Sequence, residues 1–282
     1  MRFYLMTDLE GVAGVYQWED RQDTSCGNHE CRMRQRRWLA REVSAAADGF
    51  FAGGVTEVLV NDGHGAGYTI DLDELDSRAL VINGSDRPFW LPYLDERCAA
   101  TGLVGAHAKA GTEGACLYHT MSTGVRNWTF NGISLGEAGV QAAIAGHYGV
   151  PFVFVAGDVY ACREMEQLIP GIVTAPVKVG LSRTSALHRT PAEARQIIRE
   201  GAQRATKVIR DIKPFKLASP ILFRDERVEP EFDGEKPPEH SRVLNARTRE
   251  IEGQDIIDLL QKIYPSYRRG WKPLPTSDVW GK

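Results

Sequence analysis

The sequence predicts a three-layer α/β/α main domain with a smaller α+β lobe at its C-terminal end. Short apolar runs, typical of buried strands, alternate with helical patterns along the first 212 residues. Several of these runs end at glycine-rich turns that carry polar side chains. From about residue 213 the pattern changes to short strands, a charged proline-rich loop and one helix. We therefore expect a metal-binding catalytic domain at 1–212 and a small lobe with a tail at 213–282.

The elements of the main domain are predicted in chain order. A buried strand opens the protein, and a long helical pattern over about 28–51 ends at Gly53-Gly54, a suitable helix stop. A β-branched apolar run predicts the second strand at 55–60. The later patterns predict a helix or loop around 72–75, strands at 80–83 and 102–107, a hairpin at 125–135 that turns at Asn131-Gly132, a helix opened by Gly136-Glu137, a strand at 151–156, a helix at 161–168, a strand at 173–179 and a helix at 191–212.

The C-terminal lobe is predicted to contain strands around 218–223 and 243–251, followed by a helix over about 254–264. A tail begins at Pro265 and carries Trp271 and Trp280 among prolines, so we expect it to dock against another surface or subunit. The arginines of the first long helix are expected to form a solvated face or a subunit contact. They lie at positions 32, 34, 36, 37 and 41.

Composition excludes several classes of function. A net charge of -3 provides no electrostatic footprint for nucleic acid, so small-molecule or protein partners are expected. Five cysteines, an odd number, indicate reduced thiols rather than a disulfide framework. No export signal follows Met1, which predicts a cytoplasmic protein. The uncharged stretch Ala138 to Gly157 is as long as a membrane span, but it divides into a helix, a turn and a strand, so no membrane association is expected.

The opening strand ends with two carboxylates, Asp8 and Glu10. Alternate residues of a strand share a face, so both side chains are expected to point the same way. Like charges this close are costly to bury unless a cation lies between them. Gly11 and Gly14 would let other groups approach closely. The pair therefore indicates half of a metal site, the alternative being a strand that simply runs into an acidic turn.

Three more polar residues lie where a predicted strand or hairpin meets a glycine-rich turn. His64 stands between Gly63 and Gly65, His107 ends a short apolar strand, and Glu137 lies in the first turn of a helix. Ligands of open α/β sheets bind at the carboxyl ends of the strands. Two imidazoles and three carboxylates suit zinc or, less specifically, manganese. The candidate metal ligands are Asp8, Glu10, His64, His107 and Glu137.

Charge counting favours two metal ions over one. Two divalent ions are neutralised by three carboxylates and a bridging hydroxide, the composition of a two-metal hydrolase. Such an enzyme uses one ion to lower the pKa of water and the other to polarise the scissile carbonyl or phosphoryl group. Asp8 is the predicted bridging ligand, because a short carboxylate at the centre of the strand end can reach both ions.

Residues outside this set have more open interpretations. His119 is the candidate for general acid/base work, or it is a hydrogen-bonded turn histidine. A Cys-His nucleophile using Cys116 is disfavoured, because no helix N-terminus is predicted to activate the thiol. Asp158 could orient a histidine. Arg126 and Asn127 could hold a polar group of the substrate, or they are surface residues of the hairpin.

Six ordered motifs closely resemble those of the DppA-like D-aminopeptidases, zinc exopeptidases found in bacterial dipeptide-transport operons. The motifs are Asp8-x-Glu10-Gly11, Asn61-Asp-Gly-His64-Gly65, Gly105-Ala-His107-Ala108, Leu117-Tyr-His119-Thr-Met, Val125-Arg-Asn127 and Asn131-Gly-x-x-x-Gly136-Glu137. The resemblance covers about residues 1–210 and continues more loosely to the end. It implies a cytoplasmic aminopeptidase with two zinc ions that releases N-terminal D-amino acids from short peptides.

The resemblance also implies site residues and an assembly. The family's ligands match the five candidates above, and His119 matches its catalytic histidine. The family assembles as a ten-subunit double ring with active sites facing an inner channel, so a homo-oligomer is expected. Two positions depart from the family pattern, which has a serine where this chain has Met6 and often an aspartate where it has Val159.

Two rival functions follow from the same residues. One is another two-metal hydrolase, either an amidase acting on a non-peptide substrate or a phosphoesterase. The other is a metal-stabilised oligomeric protein that binds peptides without turnover. The presence of His119 argues against a binding protein without turnover. Assays on D-alanyl dipeptides and aryl phosphates would distinguish the peptidase from another two-metal hydrolase.

Overall fold

The computed structural model describes residues 1–65, 67–234, 237–268 and 271–280. Twelve strands and six α-helices lie in these ranges, together with 3-10 helices at Leu72–Glu74 and Thr206–Val208. The strands are β1 (Arg2–Thr7), β2 (Glu57–Asp62), β3 (Leu80–Ile82), β4 (Cys98–Ala106), β5 (Val125–Phe130), β6 (Ile133–Ser134), β7 (Phe152–Asp158), β8 (Val173–Ser182), β9 (Ser185–His188), β10 (Ile221–Arg227), β11 (Arg242–Asn245) and β12 (Thr248–Gly253). The helices are α1 (Cys26–Ala52), α2 (Glu137–His147), α3 (Val159–Leu168), α4 (Pro191–Ala205), α5 (Ile256–Ile263) and α6 (Thr276–Trp280).

The main sheet has seven strands in the order β3-β2-β1-β4-β7-β8-β9. Every neighbouring pair is parallel except the antiparallel β8–β9 hairpin. The strands β1, β2 and β4 therefore end at the same edge of the sheet, with β1 between the other two. This order brings together the turns that follow these three strands, as expected for an open α/β sheet.

Helices cover both faces of this sheet, which confirms the predicted three-layer arrangement. On one face Phe50 of α1 stacks on Phe3 of β1 and meets Phe154 of β7 edge-on, at centroid distances of 3.7 and 5.5 Å. The helix α4 packs beside α1 on this face. On the opposite face Gln141 of α2 donates a hydrogen bond to Thr101 of β4 at 2.8 Å, and α3 contacts α2. The buried apolar side chains of the strands alternate between these two layers.

A second, antiparallel sheet has the order β11-β12-β10-β5-β6. Its strands β5 and β6 form the hairpin predicted at 125–135, with Asn131 and Gly132 both at positive φ in the turn. The hairpin pairs with β10, so the sheet contains strands from both sides of residue 212. The division of the chain into domains at that residue stays a prediction.

Some predicted elements differ in extent from those observed. The pattern at 243–251 forms the hairpin of β11 and β12 rather than a single strand, and the helix predicted over 191–212 ends its α-helical part at Ala205. The edge strand β9 was not predicted. In the tail, Trp271 meets Tyr93 edge-on and Thr276 accepts a hydrogen bond from Arg2 of β1, so the described part docks on its own chain. Within the described residues, none of the helices has the length and apolarity needed to cross a bilayer.

Candidate metal centre

The five candidate ligands lie together at the carboxyl edge of the main sheet. Asp8 directly follows β1, His107 directly follows β4, and His64 comes two residues after β2. Because β1 is the central strand of the three, Asp8 lies between the two histidines. Its Oδ1 is 3.0 Å from His64 Nδ1, and its Oδ2 is 3.1 Å from His107 Nε2. Glu10 and Glu137 complete the set from the loop after β1 and from the first residue of α2.

Two glycines allow the loop after β1 to approach β4 this closely. The Gly11 amide donates a 2.8 Å hydrogen bond to the Gly105 carbonyl. Gly105 has a φ of +83°, and a Cβ there would overlap the carbonyl oxygen of Asp8. The close approach predicted from Gly11 is therefore present, and its partner is the end of β4.

The ligand atoms form two clusters that meet at Asp8. The His64 cluster contains Asp8, Glu10 and His64, whose Nδ1 lies 3.0 Å from Glu10 Oε2. The His107 cluster contains His107, His119 and Glu137. In each cluster the three ligand atoms lie within 4.8 Å of one another, close enough to hold one ion.

His119 adds a third imidazole to the five residues. Its Nε2 and that of His107 lie 3.7 and 3.3 Å from the same atom, Glu137 Oε1. The two imidazole rings stack 4.0 Å apart, and the edge of Trp18 meets His119 at 5.2 Å. The histidine that sequence patterns assigned to acid/base work is thus also placed where it could bind a metal ion.

The hydrogen bonds of His107 and His119 determine which nitrogen carries the proton. His107 Nδ1 lies 2.9 Å from the Ala108 carbonyl oxygen, and His119 Nδ1 lies 2.9 Å from that of Leu117. A carbonyl oxygen only accepts hydrogen bonds, so each Nδ1 must be the protonated nitrogen. In the neutral ring Nε2 then has a free lone pair directed toward Glu137.

His64 has the opposite orientation, and its outer nitrogen faces a carboxylate. His64 Nε2 lies 3.6 Å from Glu19 Oε2, while Nδ1 faces Asp8 and Glu10. The side chain of Glu19 is only 5% exposed. It accepts hydrogen bonds from Arg21 at 2.6 Å and from Arg32 at 3.1 Å. Carboxylates behind metal-binding histidines commonly hold the ring in this way.

Sequence patterns did not identify Glu19, because it lies in a polar loop without a distinctive motif. Its partners Arg32 and Arg36 are one turn apart on α1, and Arg36 lies 3.7 Å from the Glu19 carboxylate. These two arginines therefore line a buried carboxylate, whereas the helix was expected to present them to solvent or to another subunit. The four-residue spacing of Arg32 and Arg36 was the one sequence pattern that could have indicated a shared partner.

The charges of the site oppose the effect of burial on each group. Burial raises the pKa of Asp8, but the charges of the neighbouring His107 and His64 imidazoles hold that pKa well below its ordinary value. Burial lowers the pKa of His107 and of His64, but the neighbouring carboxylates raise both well above the ordinary value. The site therefore favours positive charge, which either protons on the imidazoles or metal ions can supply.

The donor set fits divalent metal ions such as zinc. Glu10 Oε2 and His107 Nε2 are buried beside oppositely charged groups, but among the described residues neither forms a hydrogen bond of acceptable geometry. Both atoms point into the clusters, and unpaired buried polar atoms are costly unless a ligand satisfies them. Three imidazole nitrogens and three carboxylates are the ligand types that zinc prefers.

Two charged side chains support the loop after β1 from beneath, and sequence patterns identified neither. Lys178 of β8 is buried and donates hydrogen bonds to the carbonyl oxygens of Glu10 and Val15. Glu42 of α1 accepts a 3.0 Å hydrogen bond from the Ala13 amide. Burial raises the pKa of Glu42 to about 8 and lowers the pKa of Lys178.

The loop that carries His119 has an unusual backbone. Leu117 and Met121 adopt positive φ values of 52° and 60°, which are uncommon for residues other than glycine. The Leu117 amide donates to the carbonyl of Arg183 at 2.8 Å, and the Met121 amide donates to Glu137 at 2.7 Å. These contacts hold the strained loop in place, a common feature of functional sites.

The other candidates lie apart from the two clusters or have other partners. Arg126 is exposed on β5, and Asn127 accepts a hydrogen bond from Ser134. Within the described residues, no hydrogen bond or ion pair joins either side chain to the clusters. The oxygens of Asp158 accept hydrogen bonds from the amides of Tyr160 and Cys116, and among the described residues they accept none from a histidine. Cys116 is buried, and burial raises the pKa of its thiol, so a nucleophilic cysteine is not supported.

Comparisons with known proteins point to one family. The model of the family Peptidase M55, D-aminopeptidase, matches residues 1–232. A D-aminopeptidase of Bacillus subtilis (strain 168) is 34% identical over 215 residues, which is 76% of this chain and 77% of that protein. The solved structure of the Zn-dependent D-aminopeptidase DppA from Bacillus subtilis, a self-compartmentalizing protease, is similar with a TM-score of 0.84 and 28% identity. That similarity covers 96% of this chain and all of the other.

Proposed function

The chain belongs to the Peptidase M55 family of D-aminopeptidases and is a metallo-aminopeptidase, and on this premise we propose that it uses two zinc ions to release N-terminal D-amino acids from short peptides. Asp8, Glu10 and His64 would hold one ion, and His107 and Glu137 the other. Asp8 would bridge them, since its two oxygens face opposite clusters.

The orientation of the histidines is the observation that carries this proposal. Each of the three rings has one nitrogen directed to an outer acceptor, which is Glu19, Ala108 or Leu117. The other nitrogen is directed inward toward carboxylates. Rings held in this way present lone pairs to a cation without rearrangement, so the ligands are ordered before the metal arrives.

Zinc ions bound here would lower the pKa of a water molecule and polarise the scissile carbonyl group. His119 would carry out the proton transfer. Its Nδ1–H is held by the Leu117 carbonyl, so Nε2 can accept a proton and pass it to the leaving amine. Glu137 Oε1, 3.7 Å away, would stabilise the charged imidazole between these two events.

The same proposal covers the assembly and the location of the protein. A relative that is a self-compartmentalizing protease supports a homo-oligomer, and the family resemblance implies a decamer in the cytoplasm. Enclosed active sites would admit only short peptides. Light scattering on the purified protein measures the subunit number directly, and a monomer would contradict this part of the proposal.

Metal analysis combined with substrate assays tests the central claim. Elemental analysis of the purified protein should give about two zinc ions per chain, and chelation should abolish hydrolysis of D-alanyl dipeptides. Matched L-alanyl dipeptides and an aryl phosphate serve as substrate controls. Reconstitution with manganese tests the alternative metal. Activity that survives chelation, or faster hydrolysis of the phosphate ester than of any peptide, would contradict the proposal.

A further inference from the structure

Arg183 lies at the edge of the site, on the turn between β8 and β9. The carbonyl oxygen of Arg183 accepts the 2.8 Å hydrogen bond from Leu117 that anchors the loop carrying His119. Its guanidinium carbon lies 5.0 Å from the centre of the Tyr118 ring and 5.9 Å from that of Trp18. Two aromatic faces therefore hold this cation beside the metal clusters.

Trp18 connects the arginine to the proposed catalytic histidine. The same indole that lies under the guanidinium of Arg183 meets the His119 imidazole at 5.2 Å. The cation is thus separated from His119 by the width of one aromatic side chain. An extended peptide advances about 3.3–3.6 Å per residue. The two distances to Trp18 limit the separation to about 11 Å, which two extended residues and a hydrogen bond to the guanidinium can cover together.

The charge of Arg183 is available to a ligand. On the His64 side of the site, Arg21, Arg32 and Arg36 all lie against the carboxylate of Glu19. Arg183 is exposed, and within the described ranges its guanidinium forms no ion pair. Its fork of N–H donors matches the geometry of a carboxylate.

We propose that Arg183 binds the C-terminal carboxylate of the peptide substrate and so selects dipeptides and tripeptides with a free C-terminus. This inference rests on the proposed peptidase function, because it assigns the far end of the same substrate. The aromatic rings of Trp18 and Tyr118 would fix the guanidinium and line the path of the side chain next to the scissile bond.

The test compares D-alanyl-D-alanine with its C-terminal amide, which differs only in the terminal charge. The zinc-loaded protein should prefer the free acid. Arg183→Ala should lower kcat/KM for the acid by roughly ten- to a hundredfold and change it for the amide by less than about threefold. Arg183→Lys should recover part of the loss, because it keeps the charge without the fork. Arg189→Ala, which removes an exposed arginine paired with Glu193, is the matched control.

Each result of this test is decisive. Equal losses on the acid and the amide would show that Arg183 only supports the His119 loop, and an unchanged preference for the acid in Arg183→Ala would also overturn the inference. Zinc content and the melting temperature of the variant check that the centre and the fold are intact. If the zinc-loaded parent protein cleaves neither peptide, the peptidase proposal itself has failed, which is a different outcome from cleavage without a preference for the acid.

Discussion

The two metal clusters contain the same kinds of ligand but are held by different parts of the chain. In the His64 cluster, the outer nitrogen of the histidine faces the side chain of Glu19, which is surrounded by arginines. In the His107 cluster, the outer nitrogens of His107 and His119 face main-chain carbonyl oxygens. One cluster thus depends on a side chain that can be substituted, and the other on the backbone itself.

The two clusters also differ in the contacts that support their loops. Buried charged side chains, Lys178 and Glu42, support the loop that carries Asp8 and Glu10. The His119 loop is held mainly by main-chain contacts to Ala108 and Arg183. Substitutions outside the ligands should therefore weaken the His64 cluster selectively. The following predictions test this contrast, beginning with changes that should abolish both clusters.

His64→Ala and His107→Ala should each remove metal and activity together, because Asp8 joins the two clusters. The loss of kcat/KM should exceed the roughly 10- to 100-fold loss that follows removal of a partner outside the ligands. Elemental analysis and peptide hydrolysis measure both effects on the same preparation. Full zinc content with full activity in either variant would remove that histidine from the centre.

His119→Ala should lower kcat by about 10²- to 10⁴-fold, the usual contribution of a general acid or base, while the zinc content stays that of the parent protein. His147→Ala is the matched control, since this histidine lies exposed at the end of α2. Loss of one zinc ion per chain in His119→Ala would instead make His119 a third ligand of the His107 cluster, which its distance from Glu137 also permits.

Glu19→Gln should weaken only the ion of the His64 cluster, by roughly 10- to 100-fold in affinity, because the amide carries no negative charge to hold the imidazole N–H. Competition with a chelator should then resolve one weakened ion and one unchanged ion. Glu30→Gln, an exposed change on α1, controls for the loss of one surface charge. Equal weakening of both ions would show that the two clusters are not held independently.

Glu42→Gln should have the smallest effect on the metal centre, and its main effect should be on the pH dependence of stability. The carboxyl of Glu42 titrates near 4.5 in the unfolded chain and near 8 in the folded protein, where it is only 2% exposed. Between these values the unfolded chain has lost a proton that the folded protein keeps. The stability contributed by this group is therefore present below pH 4.5 and is lost as the pH rises toward 8, by up to about 1.4 kcal/mol per pH unit.

Urea unfolding of the parent protein and of Glu42→Gln between pH 5 and pH 8 measures this effect. The difference between the two proteins in the free energy of unfolding should shift in favour of the variant as the pH rises, because the amide has no proton to lose. A difference that stays constant over this range would show that Glu42 does not titrate with folding.

Local sequence patterns were sufficient to predict the central architecture and the grouping of the main ligand candidates. Apolar runs ending in glycine-rich turns mark the strands, and parallel strands share a carboxyl edge. Asp8, His64 and His107 therefore had to lie close together once β1, β2 and β4 became neighbours. The hairpin predicted at 125–135 is present, but its pairing with β10 was not predicted, because that contact joins residues about ninety positions apart.

Only the tertiary structure decided how the ligands are held and what lies around them. Glu19, Lys178 and Arg183 occur in ordinary polar or strand patterns, and each acts on a residue far away in the sequence. The tautomers of the histidines likewise depend on which acceptor groups lie next to their outer nitrogens. Hydrophobic periodicity and turn chemistry are local and can be recognised in the sequence, whereas the partner of a buried charge is chosen by the packing of distant segments.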